Sequence, residues 1–157
     1  MDCDTIMESY RRYLAGRLRC TRVGRHRRIA TPMMYSDRDP VAVYVTRLGG
    51  NRYRVSDLGE CLQRLFAHGI TLDQSKRRAE IVRRALSTFG LRMEEEMIYQ
   101  DVELERVEQV IHNLASGCQH IGDLVLTARS YSPAGFHDEV SALLDDANID
   151  FQSGYSI

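Results

Sequence analysis

The fold of this chain is most constrained by its punctuation, the turn and cap residues that recur between short apolar runs. The triplet Gly49-Gly50-Asn51 lies between 41–45, a continuous apolar run, and 52–55, which alternates polar and apolar. Two such runs joined by a short Gly/Asn turn specify a β-hairpin. A second turn, Gly24-Arg25, divides 18–31 into two further strands. Ser56 or Asp57 then caps a helix running to about residue 67, with Gly69 as its stop; acceptors open helices and glycine closes them. Asp73 is read as the cap of the next helix, closed by Gly90, with Ala79, Val82, Ala85, Leu86 and Phe89 as its apolar stripe. Residues 91–93 and 97–102 are short strands around Glu94-Glu95-Glu96.

Helices bracket this arrangement. Residues 4–16 place Ile6, Met7, Tyr10, Tyr13 and Leu14 at helical spacing. From 103 to 128 one long helix is expected, with Leu104, Val107, Ile111, Leu114, Cys118, Ile121, Val125 and Ala128 at 3-4 spacing. Val110 and Leu124 widen that stripe beyond a coiled-coil seam. Its first half is therefore read as packing within the domain and its second half as a self-association or partner contact. Ser132-Pro133 opens a last helix. The expected architecture is α+β: a small antiparallel sheet of four to six strands, covered mainly on one face by helices. Residues 1–131 form the domain, and 132–157 pack on it as a helix and tail.

An apolar fraction of 43% is ample for a core. Cys3, Cys20, Cys61 and Cys118 form no CxxC pair, which argues against a zinc ribbon or a disulfide scaffold and for reduced thiols. Asp2, Asp4 and Glu8 stand where a secretory leader needs a basic region. No apolar run approaches the roughly 20 residues of a membrane span. A cytoplasmic protein with no membrane contact is expected.

The net charge of −1 conceals two blocks. Residues 1–92 hold 19 basic and 9 acidic residues, a local net of +10; residues 93–157 hold 2 and 13, a local net of −11. Either the basic block meets an anionic partner or the halves neutralise each other. Arg17, Arg19, Arg22, Arg25, Arg27 and Arg28 crowd the first hairpin, and simple alternation would place Arg17, Arg19, Arg25 and Arg27 on one face. Lys76, Arg77, Arg83 and Arg84 add a basic helix face. An arginine-rich ribbon can track phosphates, but the nearby aromatics, Tyr35, Tyr44 and Tyr53, are sparse for base stacking.

Two other clusters carry candidate chemistry. Asp57 and Glu60, three apart at a helix start near Arg54 and Cys61, could hold a divalent metal. Capping explains the same acids, and on that reading Asp57→Ala costs about 0.5–2 kcal/mol. His112, Cys118 and His120 are spaced too far apart to make a metal site on one helix. No metal and no cofactor are expected.

Thr31-Pro32, Asp37, Val43-Tyr44-Val45, Tyr53, Val55-Ser56-Asp57-Leu58-Gly59 and Phe89-Gly90-Leu91 follow one another in an order that resembles the bacterial domain-of-unknown-function family 1828, over roughly residues 28–116. Ser56, Asp57 and Gly59 match its turn; Leu58 stands where the family pattern has a second Asp. The resemblance implies a small domain carried by plasmids and prophages, with no established activity. The element order also looks like that of type III secretion chaperones, at the level of topology alone.

The resulting expectation is a non-catalytic protein that acts by stoichiometric contact with a protein partner, in interference with or regulation of a host defence system. Alternatives are a nucleic-acid binder using the arginine hairpin, and a metal-dependent enzyme at Asp57/Glu60. The association surface, for a homodimer or another protein, is expected at Ile121, Val125, Leu143, Leu144, Phe151 and Tyr155, with Ile157 as a further tail anchor.

Overall fold

The computed structural model describes residues 2–129. Helix α1 (Cys3–Arg17) precedes strands β1 (Arg19–Val23), β2 (His26–Met34), β3 (Pro40–Gly49) and β4 (Arg52–Ser56). Helices α2 (Glu60–Ala67) and α3 (Lys76–Phe89) follow, then β5 (Arg92–Glu94) and β6 (Met97–Glu103). A 3-10 turn at Leu104–Arg106 leads into α4 (Val107–Gly122) and α5 (Leu124–Arg129). The six strands form one sheet in the order β1-β2-β3-β4-β6-β5, with every neighbouring pair antiparallel. This is the expected α+β fold.

Period-two alternation assigns the faces. Val41, Val43, Val55 and Ile98 point to one side and are fully buried there with Leu114, Cys118 and Ile121 of α4. α4 crosses β2, β3, β4 and β6, and α2 and α3 pack against it. Two small residues set how closely α4 approaches its neighbours. A Cβ at Gly117 would lie 2.7 Å from Leu91 Cδ1, and one at Gly122 would lie 2.6 Å from the Tyr35 ring.

Several helix limits differ from expectation. The cap of α3 is Ser75, whose hydroxyl accepts from Arg78 N–H at 3.3 Å, and not Asp73. The long helix begins later and is broken. Glu103 ends β6, paired with Arg52, and Asp123 separates α4 from α5. Ile121 and Val125, read above as an association surface, are only 0% and 4% exposed. They belong to the domain's own core, so from Val107 to Val125 the 3-4 repeat reflects packing within the domain, whereas Leu104 is half exposed. Leu143, Leu144, Phe151, Tyr155, Ile157 and the helix expected from Ser132 lie outside the described residues.

Candidate functional site

The Ser56–Asp57–Gly59 turn links the centre of the sheet to α2, and its chemistry is directed inward. Asp57 is 0% exposed. Its Oδ1 accepts the N–H groups of Gly59 at 2.9 Å and Ile98 at 2.8 Å; its Oδ2 accepts that of Cys61 at 3.0 Å. One side chain thus satisfies donors from the turn, the first turn of α2 and strand β6. Burial pushes its carboxyl upward, opposed by those three donors. Leu58 and Gly59 both hold positive φ, 52° and 85°. Left-handed backbone suits Asn, Asp or Gly and disfavours leucine. An Asp at this position would therefore have a conformational explanation, independent of any shared chemistry with Asp57. The Ser56 hydroxyl is buried and has no hydrogen-bond partner among the described residues.

Glu60 does not join Asp57 in an open carboxylate pair. Its Oε1 accepts the Tyr44 hydroxyl at 2.5 Å. What Asp57 does approach is a thiol pair: its carboxylate and the sulfurs of Cys61 and Cys118 lie within 4.8 Å of one another, all buried. Among the described residues this grouping has the donor set a soft metal would need. Both Asp57 oxygens, however, are already engaged by backbone donors. Cys61 donates to the Cys118 carbonyl at 3.5 Å. The neighbouring Cys61 thiol, together with burial, holds the Cys118 thiol well above its ordinary range. His112 and His120 are exposed and take no part. Beside this turn, Arg64 stacks over Tyr35, 4.3 Å from its centroid, and pairs with Asp37 and, at 3.1 Å, with Asp39. The clamp ties the 35–39 loop to α2.

The arginine hairpin is arranged quite differently. Every residue of β1 is exposed. Arg19 and Arg28 fall on the face away from the helices, whereas Arg22 and Arg27 sit directly opposite each other on the other face. Arg27 thus does not share a face with Arg19, and Arg17 ends α1 and stacks on Tyr13. Among the described residues, Arg17, Arg19, Arg22, Arg25, Arg27 and Arg28 form no ion pair. Arg22 donates to the Gly24 carbonyl of its own turn at 3.3 Å, and Arg27 to the His26 carbonyl at 3.5 Å. The ion pairs lie elsewhere: Arg54–Asp101, Arg64 with Asp37 and Asp39, Arg83 and Arg84 with Glu80, and Arg11 and Arg12 with Glu8. Among the described residues only the Arg54–Asp101 ion pair joins the basic block to the acidic one. Arg84 is therefore neutralised within α3, and Arg77 lines a surface cleft with Gln74, Arg78 and Ile81.

α1 extends the hairpin surface. Ile6, Met7, Tyr10 and Tyr13 remain about half exposed, as do Leu18 and Val23, and no residue of α1 is buried. An apolar cleft of about 480 Å³ runs between α1, the hairpin and α4, lined by Leu14, Leu18, Cys20, Ile29, Met33 and Ile111.

Fold and site together define a small antiparallel-sheet domain whose acidic turn serves its own backbone and whose hairpin arginines form no ion pair among the described residues. The description "Domain of unknown function DUF1828" matches residues 31–121, and the chain belongs to that family. No curated protein and no solved structure matches it. Among the described residues no helix is long and apolar enough to cross a membrane.

Proposed function

We propose that this chain is a non-catalytic binding module that grips an acidic face of a partner protein with its β1–β2 hairpin and α1. The observation that carries the reading is the cross-strand pair Arg22–Arg27, with no carboxylate among the described residues in ion-pair reach of either. Like charges directly opposite on a sheet destabilise it. An anionic partner offsets that repulsion, and among the described residues no acidic side chain does so. The exposed Met7, Tyr10 and Tyr13 of α1, and Leu18 where it leads into β1, favour a protein surface. Interfaces are enriched in Tyr, Met and Arg and depleted in Lys, and the chain has one lysine. The engagement of Asp57 with three backbone donors supports a binding role over a metal-dependent one. Stoichiometric action of this kind also suits carriage on a mobile element and interference with a host system.

A nucleic acid is the second reading, favoured by the same unpaired arginines. Co-precipitation from a bacterial lysate, with and without nuclease, separates the two. A protein held by the wild-type chain after nuclease treatment, and lost with a folded Arg22→Ala/Arg25→Ala/Arg27→Ala variant, is the expected result. Capture abolished by nuclease transfers the site to the second reading. Equal capture by both chains removes the hairpin from either.

A further inference from the structure

We propose that the two edges of the sheet are complementary contact surfaces for a second copy of this chain, β1 of one copy adding antiparallel to β5 of the next. The inference rests on the reading of the hairpin arginines as a contact surface and names one partner for them.

The strand order places the arginine hairpin and the Glu94–Glu96 run at opposite edges. At one edge stand Arg19 and Arg22 of β1, with Arg25, Arg27 and Arg28 behind them; at the other stands Glu94 of β5, followed by Glu95 and Glu96 in the turn. All residues of both edge strands are exposed. An exposed edge is a row of unpaired backbone donors and acceptors, a template for another strand. Charged side chains ordinarily keep such edges apart. They do so when the two edges carry the same sign, and here the signs are opposite. A β1–β1 contact would set five arginines against five; a β5–β1 contact sets them against three glutamates and Arg92, a net acidic edge.

Direction and register agree with this pairing. The strands alternate in direction across the whole sheet, so β1 and β5 run oppositely. A further β1 beside β5 continues the alternation, with the helices of both copies on one side. Cross-strand neighbours form a level row, Thr21–Arg28–Tyr44–Ser56–Tyr99–Arg92. Extending that row sets Thr21 of the next copy opposite Arg92. Two residues along each strand, Arg19 then faces Glu94, an opposite-charge pair of the kind that stabilises sheets. Met93 falls opposite Cys20. The interface is head-to-tail, and because sheets twist, it propagates as a ring or an open helical assembly. With only three residues in β5 the contact is short and largely electrostatic, hence sensitive to salt.

The test is sedimentation velocity of the full chain at micromolar concentration, at low and high ionic strength, with two charge-reversal variants. Arg19→Glu/Arg22→Glu puts acidic side chains on β1 to face those at the β5 edge; Glu94→Arg/Glu95→Arg puts basic ones at the β5 edge to face those of β1. Circular dichroism confirms that each is folded. The expected result is a wild-type mass above that of one chain at low salt, a single-chain mass for each variant alone, and recovery of association when the variants are mixed. A wild-type monomer at low salt, or association unaffected by reversing either edge, overturns the proposal. If the hairpin still captures a protein while the wild type stays monomeric, this inference fails and the binding reading stands.

Discussion

Replacing Asp57 by alanine strips the acceptor from three backbone N–H groups at once, those of Gly59, Cys61 and Ile98. Each buried donor left unpaired costs about 1–3 kcal/mol. The three lie on connected backbone that relaxes together, so the full sum is not reached. A loss of about 3–5 kcal/mol is expected, comparable to breaking a buried charged pair and well above the ~0.5–2 kcal/mol of a simple helix cap. Against a domain stability of roughly 5–15 kcal/mol, this is a large fraction. Asp57→Asn is the internal control. An amide oxygen at the Oδ1 position keeps Gly59 and Ile98 satisfied, while its NH₂ meets the Cys61 N–H donor to donor. Its loss should be about 1–3 kcal/mol. Urea denaturation followed by far-UV circular dichroism measures both. An alanine variant within ~1 kcal/mol of wild type, or an asparagine variant equal to alanine, would refute the three-donor account.

Leu58→Asn should raise the thermal midpoint by relieving left-handed strain, a gain of about 0.5–1 kcal/mol net of the contacts of a side chain already 39% exposed. Gly117→Ala should destabilise by about 1–3 kcal/mol because the new methyl meets Leu91, as denaturant melts would show. Asp101 is held below its ordinary carboxylate range, first by hydrogen bonding to Arg54, so its stabilisation is complete above its unfolded pKa and disappears as pH falls through the lower folded one. Asp101→Asn should therefore shrink the stability difference between pH 7 and the acid limb in pH-dependent melts. A thiol reagent should modify the exposed Cys3 and Cys20 rapidly and the buried Cys61 and Cys118 only after unfolding, which mass spectrometry of timed samples resolves.

The sheet and most helices were legible because their signals are local. Gly49-Gly50-Asn51 and Gly24-Arg25 are turn residues at the turns, and Gly90 takes the left-handed backbone that closes α3. What escaped depends on distant neighbours. Asp57 looked like an ordinary cap because its Ile98 donor is 41 residues away. Cys61 and Cys118 meet across 57 residues, and no spacing rule connects them. The 3-4 stripe through Ile121 and Val125 fits a partner helix as well as a sheet; only the position of α4 over β2, β3, β4 and β6 decides between them. The arginine cluster was legible as composition. Its face assignment was not, since that requires the register in which Arg22 meets Arg27. The fate of the acidic block was equally hidden, because strand order sends Glu94 to the far edge of the sheet.

Hydrogen–deuterium exchange of the chain, alone and in a complex recovered from lysate, tests the binding surface most directly. The account predicts new protection in α1 and in the β1–β2 hairpin around Arg22, Arg25 and Arg27, with Asp57 and its turn unchanged. Protection centred on residues 57–61, with the hairpin exchanging as freely as before, would contradict it.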